Sequence, residues 1–113
     1  MLIYKIATRS QWRAAEATGV FTGAPVDLAD GYIHFSTAAQ VGETLAKHFA
    51  GASDLLLVSV EGNDLGDVLR WEVSRGGQLF PHLYAELPVS AARSVREIPV
   101  GPDGVHVLDG LLE

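Results

Sequence analysis

Two stretches of the chain each open on a threonine, carry a glutamine three residues later and run out at a glycine, and they decide where helix can form. Thr8 with Gln11 has the spacing of a capping box, so "RSQWRAAEAT" is expected as a helix that stops at Gly19. Thr37 with Gln40 repeats the pattern and opens a helix over Ala38 to Phe49, stopped by Gly51. Val41, Leu45, His48 and Phe49 give that helix one apolar face ending in a histidine. Most of the rest reads as strand: "LIYKI", "YIHFS", the buried-type run from Asp54 to Val60, "LRWEV", "LFPHLY" and "RSVREIPV". "TGAPVDLADG" reads as a turn-rich loop and "GPDG" as a turn, while "VHVLDGLLE" fits neither helix nor strand clearly. Helices early, strands late and hairpin-length links predict an α+β fold rather than a parallel doubly wound sheet. No repeat, low-complexity segment or linker divides the chain, so residues 1–113 are expected as a single domain.

Composition removes several function classes. Without cysteine there is no disulfide, thiol catalysis or Cys-ligated zinc. The net charge of −6, from 14 acidic and 8 basic residues, disfavours long DNA or RNA partners, which draw on Lys and Arg. It leaves room for a local basic cleft that holds a small anion. The apolar runs fall well short of the roughly 20 residues of a membrane span. "MLIYKIATRSQW" lacks the order of a secretory signal, so the expected location is the cytoplasm.

Three polar clusters interrupt the apolar pattern. In the first, "GYIHFST", His34 sits between Ile33 and Phe35 and is followed by Ser36 and Thr37. A strand end entering a helix N-terminus collects free N–H groups and suits a phosphate or carboxylate. The plainer reading, which is the stronger one for Thr37, assigns it to helix capping alone and leaves Ser36 without a role. His34 either faces a solvated cleft with no buried partner, Ile33 and Phe35 packing on the opposite face, or is a buried, hydrogen-bonded core residue. The second cluster, "RWEVSRGGQLF", carries Trp71, Glu72, Arg75, Gly76 and Gly77. A carboxylate beside a tryptophan can stabilise a developing cation, and paired glycines let backbone approach a ligand. A surface pair of Glu72 with Arg70 or Arg75, and an ordinary turn at the glycines, are the plainer alternatives. The third is "FPHLY", where His82 and Tyr84 share a strand face and Pro81 implies an edge or a bulge. His34 and His82 lack a third ligand at diagnostic spacing, so no metal is expected. There is no G-x-S-x-G elbow and no phosphate-binding glycine motif.

Taken together, "IYKI", "DLADGYIHFSTAAQV", "LRWEVSRGG" and "FPHLY" resemble the small bacterial domain-of-unknown-function family 952, over nearly the whole chain to about Val100. Ala85 stands where that family usually has glycine. More distantly, the order of elements is similar to the ADP-ribosyltransferase fold, in particular RNA 2′-phosphotransferases and DNA-modifying ADP-ribosyltransferases. Their opening strand reads aliphatic-Tyr-His-x-Thr, matched here by "IYKIAT", which places Tyr4 in the cleft and Lys5 where the relatives carry histidine. Their second strand, "VHLST", is matched by "IHFSTAAQ", which places His34, Ser36 and Thr37 there too.

That resemblance implies two small, mostly antiparallel sheets around a cleft for NAD or a related nucleotide, with two main helices. It implies transfer of ADP-ribose or of a ribose-linked phosphate. His34, Glu72 and His82 would be catalytic, and Tyr4, Lys5, Ser36, Thr37, Trp71, Arg75, Gly76 and Tyr84 would line the ligand. The rivals are a non-catalytic module for a small anionic metabolite, which Lys5 favours, and a partner-binding protein with all three clusters at its rim.

Overall fold

Strand β4 (Leu55–Glu61) is buried on both faces from Leu55 to Val60, as its unbroken apolar run requires. It runs antiparallel between β1 (Leu2–Thr8) and β8 (Ala92–Ile98) in the order β1-β4-β8. The one polar side chain in the run, Ser59, meets its cross-strand partner Ser94 hydroxyl to hydroxyl at 2.6 Å. Structure is described for residues 1–112 in this computed structural model, with the backbone alone described at Arg75.

The two expected helices cover the two faces of this sheet. Helix α1 (Arg9–Thr18) carries the full capping box: Thr8 Oγ1 accepts the Gln11 N–H at 3.1 Å and Gln11 Oε1 accepts the Thr8 N–H at 2.9 Å. Its Trp12 and Ala15 pack with Ile3, Leu56, Val58 and Val60 on one face. A later helix, Ala38–His48, sets Val41 and Leu45 on the other face against Tyr4, Ile6, Leu55 and Leu57.

The expected loop "TGAPVDLADG" is in part a third, six-residue helix, α2 (Pro25–Asp30), which makes Ala38–His48 helix α3. Pro25 has its φ preset at the first position, and the Asp27 carboxylate accepts the Ala24 N–H at 2.8 Å. Gly31 ends the helix at φ +86°, a left-handed conformation that a Cβ would oppose. "YIHFS" also shortens: only Ile33–His34 pairs as strand β3.

A second antiparallel sheet has the order β3-β6-β5, with β5 (Leu69–Val73) and β6 (Leu79–Leu83) joined by a hairpin turn over Arg75–Gly77. Pro81 therefore lies in the middle strand, against expectation. Its carbonyl accepts the Phe35 N–H at 3.0 Å just past the end of β3, so its missing donor falls where the ladder has already opened. A two-residue pair, β2 (Val20–Phe21) with β7 (Leu87–Pro88), was not legible as strand. Tyr4 and Ser36 exchange backbone bonds at 2.8 and 2.9 Å and so join the first sheet to the segment after β3. "GPDG" forms the expected turn, Gly104 N–H to Gly101 carbonyl at 2.9 Å. The following residues to 112 are neither helix nor strand, and Leu108, Leu111 and Leu112 pack beside α3. Among the described residues no helix is long and apolar enough to cross a membrane.

Candidate functional site

Between β1, the second sheet and α3 lies a cavity of about 760 Å³, whose lining includes Tyr4, Lys5, Tyr32, His34, Phe80 and His82. The register of the second sheet creates much of it. His34 on β3 is directly opposite His82 on β6, and His82 is opposite Arg70 on β5. With a period of two, Phe80 and Glu72 share the face of His82, while Ile33, Leu83 and Leu69 turn to the core.

His34 does not face open solvent. Its Nδ1 is 2.6 Å from Asp27 Oδ1 and its Nε2 is 2.9 Å from Asp30 Oδ2, so helix α2 holds the imidazole from two sides. Of the two readings of His34 the hydrogen-bonded one holds as far as its partner goes, because Asp27 is 2% exposed. Asp27 also accepts the His34 and Ala24 N–H groups at 3.1 and 2.8 Å and takes Lys5 Nζ at 2.8 and 3.0 Å on its two oxygens. Burial alone would push this carboxyl up. The hydrogen bond from His34, the charge and hydrogen bond of Lys5 and the Ala24 N–H together outweigh it, holding Asp27 at about 2. Burial dominates at Lys5, whose ammonium is pulled below its usual range despite Asp27.

His82 belongs to a separate arrangement. Its Nδ1 is 2.8 Å from Glu72 Oε1, and the Tyr84 hydroxyl donates to the same oxygen at 2.7 Å. The Tyr84 hydroxyl first, and His82 second, hold the Glu72 carboxyl below the usual carboxylate range, and the same bond raises the Tyr84 phenol. Glu72 is thus bonded to His82 and Tyr84, and among the described residues no ion pair joins it to Arg70. Arg70 stacks over the Tyr84 ring at 4.9 Å. Tyr32 joins the two histidines: its ring stacks on His82 at 4.1 Å and lies 4.6 Å from His34 and 5.2 Å from Tyr84. Burial and then the nearby Asp30, Glu72 and Asp27 charges raise its phenol.

Of the remaining expected residues, Tyr4 and Ser36 line the cavity, Ser36 Oγ lying 3.0 Å from Thr44 Oγ1. Thr37 caps α3, its N–H donated to Gln40 Oε1 at 3.0 Å. Trp71 points to the other face of the sheet, paired with Pro81 and 41% exposed, away from the histidines. Gly76, at φ +69°, serves the hairpin turn outside the cavity lining. The side chain of Arg75 lies outside the described residues. Among the described residues, no group of three or more His, Asp or Glu side chains is arranged to hold a metal. Sequence reasoning missed Asp27, Asp30 and Tyr32. The signal for Asp27 was the Pro25, Asp27, Gly31 spacing of a short helix; none marked Tyr32.

The family described as "Protein of unknown function (DUF952)" matches residues 6–95, which is most of the chain. The chain belongs to that family. Its fold is shared by protein CC0527 from Caulobacter crescentus: an X-ray crystal structure of that protein is 50% identical, covers 96% of both chains and superposes with a TM-score of 0.93. A solution NMR structure of the same protein is 50% identical over 98% of this chain and 96% of that one, with a TM-score of 0.88. No curated protein matches this member of the DUF952 family.

Proposed function

We propose that this cavity binds NAD or a related nucleotide, in an ADP-ribosyltransferase-like manner, and that the chain acts in the cytoplasm at the ribose end of that ligand, transferring ADP-ribose or a ribose-linked phosphate. One observation carries the reading: Tyr32 stacked on His82 gives the cavity an aromatic wall, with the carboxylate of Asp30 in the same lining. Such a lining suits a cationic pyridinium and the positive charge that builds on ribose when its bond to nicotinamide breaks. The rival, a binder of small anions, has less support. Lys5 is the one lysine or arginine lining the cavity among the described residues, and Asp27 neutralises it.

Melting curves with NAD, ADP-ribose and inorganic phosphate test this. A ligand at about 100 times its dissociation constant adds roughly 2.7 kcal/mol, or upward of 10 °C in a domain of this size. NAD is expected to raise the Tm more than ADP-ribose does. No shift with any nucleotide, or a larger shift with phosphate, overturns the reading.

A further inference from the structure

We propose that His82 is the proton acceptor of this cavity, that Glu72 is its positioning residue, and that the group it activates is an attacking hydroxyl, water being the one always present. The proposal rests on the ligand reading above and assigns roles that the reading leaves open.

The two histidines face each other with ring centroids 5.6 Å apart, yet their hydrogen bonding makes them unequal. At His34 each ring nitrogen faces a carboxylate oxygen, Asp27 on one side and Asp30 on the other. Both ring nitrogens are thus occupied by the wall itself, and neither is open to a substrate. His34 is held as an electrostatic fixture of the wall. At His82 only Nδ1 faces a carboxylate, Glu72, so Nδ1 carries the proton of the neutral ring and the lone pair is on Nε2. No described residue hydrogen-bonds Nε2, although His82 is 3% exposed and lines the cavity. A buried imidazole with one nitrogen tethered and the other unpartnered is the arrangement a general base needs. Tyr32, stacked at 4.1 Å, and Glu72 fix the ring plane. Glu72 bonds both His82 and Tyr84 through one oxygen and is not among the residues lining the cavity, so it acts through His82 and not directly on the ribose, the role that the resemblance implies.

With NAD the step balances as a hydrolysis. The water oxygen bonds to the anomeric carbon, whose bond to the pyridinium nitrogen breaks. The electron pair leaves on nitrogen and neutralises nicotinamide, and the water proton passes to His82 Nε2.

The test has two arms. In protein labelled with 15N-histidine, His82 is expected to show the tautomer protonated on Nδ1, and Glu72→Gln is expected to leave the protein folded while admitting the other tautomer. A wild-type His82 protonated on Nε2 overturns the proposal without any need for turnover. In the second arm, nicotinamide release from NAD is followed. His82→Gln should lose about 100-fold or more in kcat, a loss larger than any weakening of NAD binding in the thermal shift. Glu72→Gln should lose kcat with little change in KM. If NAD binds but no nicotinamide is released, or His82→Gln keeps its rate, the proton-acceptor role is wrong and the ligand reading stands. If NAD does not bind, both fall.

Discussion

Asp27→Asn removes one charge from a buried pair and leaves almost every atom in place. The Ala24 N–H at 2.8 Å falls on Oδ2 and the His34 N–H at 3.1 Å on Oδ1, so the amide oxygen keeps one of them and the amide NH2 meets the other. What disappears is the counter-charge to Lys5, which is 4% exposed and held at 2.8 Å. Uncompensated burial of one member of such a pair costs about 3–5 kcal/mol, a large part of the 5–15 kcal/mol typical of a whole domain. The acid limb gives an independent figure. A carboxyl moved from 3.8 to about 2 on folding contributes about 2 kcal/mol, fully present above its unfolded value and lost as pH falls through the folded one. Wild-type stability should therefore fall by about that amount between pH 4 and pH 2 in excess of the Asp27→Asn variant. Urea melts of wild type, Asp27→Asn, Lys5→Met and the double variant at pH 7 and pH 2.5 measure both effects. The double variant should recover much of what Asp27→Asn loses, since two uncharged groups need no pairing. A loss below about 1 kcal/mol at pH 7, or a double variant no better than the single, would refute the account.

Three further outcomes can be checked on the same footing. His34→Ala abandons Asp27 and is expected to cost about 1–3 kcal/mol in a urea melt, more than an exposed cleft residue would. Gly23→Ala should destabilise by at least 1–2 kcal/mol by the same assay, because φ is +125° and the new Cβ would stand 2.9 Å from Asp27 Cβ. Tyr84→Phe removes the first cause of the low Glu72 carboxyl, so that carboxyl should titrate higher by NMR while stability at neutral pH holds within about 0.5 kcal/mol.

Elements long enough to display a period were legible in the chain. Helix α1 with its box, the run Leu55 to Val60 and "LRWEV" fall where capping and alternation put them. What escaped was too short to have a period. Strands β2 and β7 have two residues each, and α2 has six, with Val26 and Leu28 exposed and no apolar stripe. The site was legible in the same measure: the meeting of His34 and His82 follows from strand pairing, but their partners come from elsewhere. Asp27 and Asp30 arrive on the unrecognised helix, and Glu72 reaches His82 only through a hairpin register that one sequence leaves open. Trp71 shows the converse. Adjacent to Glu72 in sequence, it is necessarily on the opposite side of the sheet.

The short segment from Ile33 to Ser36 is bonded at both ends, to β6 at Ile33 and His34 and to β1 at Ser36, which exchanges two hydrogen bonds with Tyr4. Its composition has some latitude, but its length has none. One residue inserted or deleted between His34 and Ser36 would either rotate the imidazole from the cavity face to the core face or break the join to Tyr4. Proteins built on this plan are therefore free to substitute along the segment and to lengthen the turns around it, while the count of residues from the histidine to the join stays fixed.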